Sequence, residues 1–176
     1  GPWWVVDGNN NMSIVDFTYN RPRPNDNDAP LKTSQYLNVP YFSVDIVHAG
    51  GNYMTDGYGI SASSDLVYEE NNWSDDVLDN LMNQYYGINT YHVIPDPNNT
   101  YIDHIDCWGK YLSPTKVLIR AVPSNHPQYD EIESVANYFS ESQNYWGEPW
   151  DVFRVWTPND QPYTNSLIVN NKVLVP

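Results

Sequence analysis

The sequence predicts a mixed α/β fold built from a repeated unit of hairpin, helix and strand. Short β-prone runs flank clusters of Asn, Asp, Gly and Pro, the residues that turn a chain tightly. Two segments carry apolar residues at helical spacing, each followed by a short strand-like run. Asn52, His104 and Asn165 stand at matching places ahead of successive hairpins, 52 and 61 residues apart. If each unit is one blade around a pseudo-symmetry axis, these three side chains converge at one mouth, where a ligand would sit. A parallel α/β sheet competes, but helices alternating with hairpins favour small mixed sheets. About three such units fit the chain.

The elements follow in order. Residues 3–17 predict a hairpin around an Asp-Gly-Asn turn. Residues 19–26, Tyr-Asn-Arg-Pro-Arg-Pro-Asn-Asp, predict an extended, polyproline-like loop, because each proline fixes φ and withdraws a donor. A strand near 41–47 precedes the glycine-rich run 50–59, and a further strand is expected over 60–68. Ser74 is placed to cap a helix running to Tyr86, with Asp75 and Asp76 in its first turn and Gly87 at its end. Its core stripe is Val77, Leu78, Leu81, Met82 and Tyr85. A strand at 91–94 stops at Pro95-Asp-Pro97. The stretch 101–110 reads as a strand, then 108–111 and 116–119 as a hairpin. His126-Pro127 is expected to open a second helix with the stripe Ile132, Val135, Ala136 and Phe139. A strand at 152–156 and a hairpin turning at Asn170-Asn171 complete the chain.

The 176 residues suffice for one domain with a real core, and nothing in the sequence demands two. Asp and Glu number 22 against 8 Lys and Arg, a net charge of -14, which argues against nucleic acid or an anionic membrane as partner and favours a cationic ligand. Seven Trp, fifteen Tyr and Asn/Asp-rich turns suit a secreted or cell-surface protein. The single cysteine, Cys107, forms no internal disulfide. No apolar run approaches membrane-spanning length. Asn72-Trp-Ser74 and Asn98-Asn-Thr100 match the glycosylation pattern.

Most of the candidate chemistry lies in residues 101–110, Tyr-Ile-Asp-His-Ile-Asp-Cys-Trp-Gly-Lys. On a strand His104 and Asp106 share one face, putting a proton carrier beside a carboxylate that can hold a cation. Cys107 falls on the opposite face and is expected to be buried and inert. The same alternation separates Asp103 from Asp106, which counts against a metal site with His104. An isolated H-x-D also occurs by chance. Arg21 and Arg23 are spaced to grip one carboxylate, or else are solvated charges on an acidic surface. The glycines around Asn52 and Asp56 allow close backbone approach to a ligand, or serve turns alone.

Residues 19–26 and 50–59, with His104-Ile-Asp-Cys-Trp-Gly-Lys-Tyr-Leu112, Asn125-His-Pro-Gln128 and Gln161-Pro-Tyr-Thr-Asn-Ser-Leu-Ile168, closely resemble the Porphyromonas-type peptidylarginine deiminases. The likeness runs in order over nearly the whole chain. It implies the pentein fold, an α/β propeller of five blades of which about three are present here, as part of a single deiminase catalytic domain spanning 1–176. It implies hydrolysis of C-terminal peptidyl-arginine to citrulline and ammonia through a covalent cysteine intermediate, with no cofactor. By the same resemblance His104 is the acid-base, Asp106 holds the guanidinium and Asn165 is the active-site asparagine. Arg21 and Arg23 bind the substrate's α-carboxylate and Tyr101 belongs to the site, with Asn52 a further substrate-binding candidate. The family's nucleophilic cysteine and a second guanidinium-binding aspartate have no counterpart here, so the expectation is a fragment lacking both flanking segments, inactive alone. The implied partners are arginine-containing peptides and the remaining segments of the same enzyme. A relative acting on agmatine or free arginine, and an inactive module that binds cationic peptides, are the alternatives.

Overall fold

The computed structural model describes residues 2–176. The described residues divide into two compact units, residues 2–50 with 67–91, and residues 51–66 with 92–176.

The first unit carries a three-stranded sheet of β1 (Trp3–Val6), β2 (Met12–Tyr19) and β3 (Tyr41–His48), in that order. β1 and β2 are antiparallel, and their turn closes on Asp7, whose Oδ1 accepts from the Asn9 and Asn11 backbone N–H groups at 2.8 and 2.9 Å. β3 runs parallel to β2, a pairing that requires a crossover. The crossover is helical: α1 (Pro24–Asn27) and α2 (Ala29–Leu37). This corrects the end of the polyproline-like loop. Residues 20–23 stay non-helical, but Pro24, like Pro30 beyond it, sits in a first turn, where a missing N–H costs nothing. The core gathers Trp3, Ile14, Val15, Phe17, Val44 and Ile46 with Leu78 and Met82.

β4 (Met54–Thr55), β5 (Ile60–Ser64) and β6 (Thr90–Ile94) form a second sheet, with α3 (Leu66–Asn71) and α4 (Asp75–Tyr86) between β5 and β6. β5 is shorter than the expected strand over 60–68, because its continuation coils into α3. α4 has the expected bounds, with Ser74 at its N-cap and Gly87 at φ 67° ending it, a backbone conformation that favours glycine. Only Leu78 and Met82 of its stripe are fully buried, and Val77 is exposed.

In the second unit β7 (Gly109–Ser113) and β8 (Lys116–Ala121) make an antiparallel hairpin, and β9 (Asp151–Trp156) adds in parallel beside β8. The crossover, α5 (Tyr129–Glu141), starts later than His126-Pro127 suggests, with Gln128 at its N-cap. Its whole stripe, Ile132, Val135, Ala136 and Phe139, is buried against Ile105, Trp108, Val117 and Ile119, and Tyr111 stacks on Trp150 at 4.5 Å between ring centroids. β10 (Leu167–Val169) and β11 (Lys172–Leu174) close as an exposed hairpin. The architecture is therefore mixed α/β with small sheets, and hairpin, helix and parallel strand recur. No helix among the described residues is long and apolar enough to cross a membrane.

Candidate active site

The stretch around His104 is not a strand. His104 is extended (φ -99°, ψ 137°) and leads into a 3-10 turn, Ile105–Cys107, so strand alternation does not set these side chains. A second short turn, Gly50–Asn52, does that work. Asn52 is fully buried, and its Oδ1 accepts from the Ser64 backbone N–H at 2.8 Å and the Ile105 N–H at 3.2 Å. One amide oxygen thus ties the Gly50–Asn52 turn to β5 and to the turn bearing the two candidates. Ile105, wholly buried, anchors the latter in the apolar core.

Gly51 forms the floor beneath them. A Cβ there would lie 2.7 Å from His104 Nδ1 and 2.8 Å from Asp106 Oδ2, closer than such atoms can approach. The imidazole and the carboxylate crowd a single point that only glycine leaves empty. From a third direction Thr164 Oγ1 donates to the Asp106 carbonyl at 2.9 Å, fixing the turn that carries Asn165. Ser64 Oγ donates to the Asp103 carbonyl and braces the approach to His104.

The electrostatics single out Asp106. Burial pushes its carboxyl up to about 6, only partly offset by the Cys107 thiol and the Lys110 ammonium. Lys110 is itself lowered by burial. The Cys107 thiol, 3.7 Å from Asp106 Oδ1, is pushed up to about 12 by burial first and the adjacent carboxylate second. Such a thiol does not ionise near neutrality and is no nucleophile. It is half-buried rather than fully enclosed, and its inertness comes from burial and the adjacent carboxylate, not from an opposite strand face. Among the described residues no three His, Cys, Asp or Glu side chains are grouped to hold a metal ion. What the arrangement offers is a desolvated carboxylate beside an imidazole, suited to holding a planar cation and moving a proton to or from it.

The other candidates are placed as follows. Asn165 is exposed, beside the Thr164 anchor, and Tyr101 is 90% exposed. Arg21 and Arg23 belong to the first unit. Arg23 makes an exposed ion pair with Asp26 at 3.7 Å. Beside Arg21, Asn20 Nδ2 donates to Glu70 Oε1 at 2.6 Å, and burial raises the Glu70 carboxyl while Arg21 opposes that rise. Asn98 is buried and accepts from Arg120 at 2.7 Å, which leaves it unsuited to glycosylation. Gly51 and Thr164 were not singled out by the sequence reading, although the Gly50-Gly51 pair signalled a close backbone approach.

The family model of the Porphyromonas-type peptidyl-arginine deiminases matches residues 1–176. The chain belongs to that family. Solved structures share the family fold at low identity. A Porphyromonas gingivalis protein provisionally named an arginine deiminase superposes with a TM-score of 0.86 at 18% identity, covering 100% of this chain and 60% of that one. The C. jejuni agmatine deiminase gives 0.80 at 17% identity, with 100% and 56% covered. The agmatine deiminase of Enterococcus faecalis gives 0.81 at 16%, with 100% and 52% covered. This chain therefore spans roughly half to three-fifths of the length of those relatives.

Proposed function

We propose that the protein containing this chain is a guanidine-modifying hydrolase that converts C-terminal peptidyl-arginine to citrulline and ammonia. The observation that carries the reading is the convergence of His104 and Asp106 over Gly51, with Asp106 raised to about 6 by burial and short of a full counter-charge. A guanidinium supplies that charge. A thiolate then attacks the guanidinium carbon, and His104 protonates the departing ammonia. Water, deprotonated by the same imidazole, cleaves the amidino-thioether to citrulline and regenerates the thiolate. Cys107 is too basic to be the nucleophile, so the thiolate comes from outside these residues. Asn165, which follows the Thr164 anchored on the Asp106 carbonyl, is assigned as a further substrate contact. Tyr101 joins it, and Asn52 acts by holding the two turns together.

Arg21 and Arg23 favour a substrate with a free α-carboxylate, which agmatine lacks. In that reading this chain contributes about three blades to a pentein propeller. Secretion or display at the cell surface fits the aromatic, Lys-poor composition.

The test is to incubate the whole protein with a peptide ending in arginine, its amidated form and agmatine, measuring citrulline and ammonia. Turnover of the free-carboxylate peptide alone is expected. Agmatine turnover without peptide turnover would establish the agmatine reading instead, as the fold shared with two agmatine deiminases allows. Binding of the peptide with no product from any substrate would leave an inactive binding module.

A further inference from the structure

We infer that a cleft away from the Gly51 floor binds a basic, partly apolar peptide segment, and so serves as an exosite for polypeptide substrates. Its exosite role rests on the deiminase reading, whereas the binding itself does not. The cleft lies wholly within the second unit, with a volume of about 420 Å³. Its apolar wall includes Ile94, Val135 and Tyr138, and three of its lining residues are acidic, Asp96, Asp130 and Glu131, with no lysine or arginine among them.

Each wall has a consequence for the occupant. Asp130 and Glu131 stand in the first turn of α5, where they cover the positive end of the helix dipole that would otherwise favour an anion. Both Asp96 oxygens are shut off from solvent, and no N–H donor among the described residues reaches them. The neighbouring titrating group is another carboxyl, Asp103, which is pushed up to about 6 by burial first and Asp96 second. The cleft thus presents carboxyl groups with no lysine or arginine lining it, and at Asp103 only His104 opposes the rise. An alkyl stem ending in a cation matches this surface: the stem lies on Ile94, Val135 and Tyr138, and the ammonium or guanidinium meets the exposed Asp130 and Glu131 carboxylates. A lysine or arginine side chain flanked by apolar residues has that chemistry. A neutral lipid or an anionic ligand does not.

One residue links the cleft to the active-site segment. Asp96 borders it and interacts with Asp103, the residue before His104. In the proposed exosite role the bound peptide is the segment preceding the arginine, not the arginine itself.

The test uses the whole protein and two variants at exposed helix positions, the Asp130→Asn, Glu131→Gln double variant and Ser134→Arg, which brings a cation into the cleft. A fluorescent, C-terminally amidated Leu-Lys-Leu-Lys peptide has no terminal arginine for the active site, and its binding is followed by anisotropy. Binding is expected in the parent and roughly fivefold weaker in each variant, the size of a lost pair of partly screened charge contacts. No binding to the parent, or equal binding to all three proteins, overturns the inference whatever the enzyme's activity. The second readout is the ratio of kcat/KM for an arginine-terminated peptide with upstream lysine to that for a short acyl-arginine. A fall in this ratio in both variants supports an exosite, and an unchanged ratio overturns that role. Failure of the parent to turn over either substrate counts against the deiminase reading, while the anisotropy result still decides the cleft.

Discussion

Two acidic residues of the second unit, Asp106 and Asp160, have opposite electrostatic fates. Asp160 meets the buried guanidinium of Arg120, which also donates to Asn98 Oδ1 at 2.7 Å and Thr157 Oγ1 at 3.2 Å. His126 Nε2 stands 3.4 Å from the same carboxylate. The Arg120 hydrogen bond holds the Asp160 carboxyl below its usual range. Asp106 is sequestered without such a partner and sits well above its usual range. The first carboxylate is committed to structure, and the second has charge to offer a ligand. Acidic residues are abundant throughout the chain, so what distinguishes a site is the missing counter-charge rather than the carboxylate itself.

The sharpest way to break this contrast is Arg120→Met. It leaves Asp160, Asn98 and Thr157 without that donor, and a loss of about 3 kcal/mol in chemical denaturation is expected, chiefly from the buried acceptors left unpaired. A loss under about 1 kcal/mol would place the network among weak surface pairs.

Gly51→Ala acts on the other side of the comparison. Its Cβ displaces the ends of His104 and Asp106 rather than backbone, so the fold is expected to survive. Turnover of arginine-terminated peptide by the whole protein should fall about 100-fold, as a small misplacement of reacting groups does. Circular dichroism and kinetics together check both halves.

Asp106→Asn should reverse the usual sign of a mutation by stabilising the protein. The folded carboxyl titrates near 6 against 3.8 as its reference, so the unfolded chain gives up its proton first, and stability falls as pH rises across that window. Removing the charge should return about 1–2 kcal/mol at pH 7. The gain should vanish below about pH 4, where both states are protonated. Equal stability of parent and variant at pH 7 would mean that Asp106 is not short of a counter-charge. Smallest of all is Cys107→Ala, which should leave turnover unchanged and cost about 1 kcal/mol or less from lost packing.

The hairpins, the bounds of α4 and the buried face of α5 were legible because apolar period and turn chemistry are local. α1 and α2 were not, because a proline that withdraws its N–H suits both an extended loop and the first turn of a helix. Within the site, the residue types and the proximity of His104 to Asp106 could be read, but their geometry had a different cause. The sequence suggested a strand whose alternation puts the pair on one face. The structure instead puts a 3-10 turn over Gly51, held by an Asn52 oxygen more than fifty residues away in the chain.

What the sequence alone determined was the repeated unit, the acidic balance and the family-like run around His104, since each is carried by the kinds of residue and their spacing. The tertiary structure decided which carboxylate is spent and which is spare. That depends on whether a guanidinium forty residues away packs against it, and on how much solvent the surrounding core removes, neither of which any local pattern records.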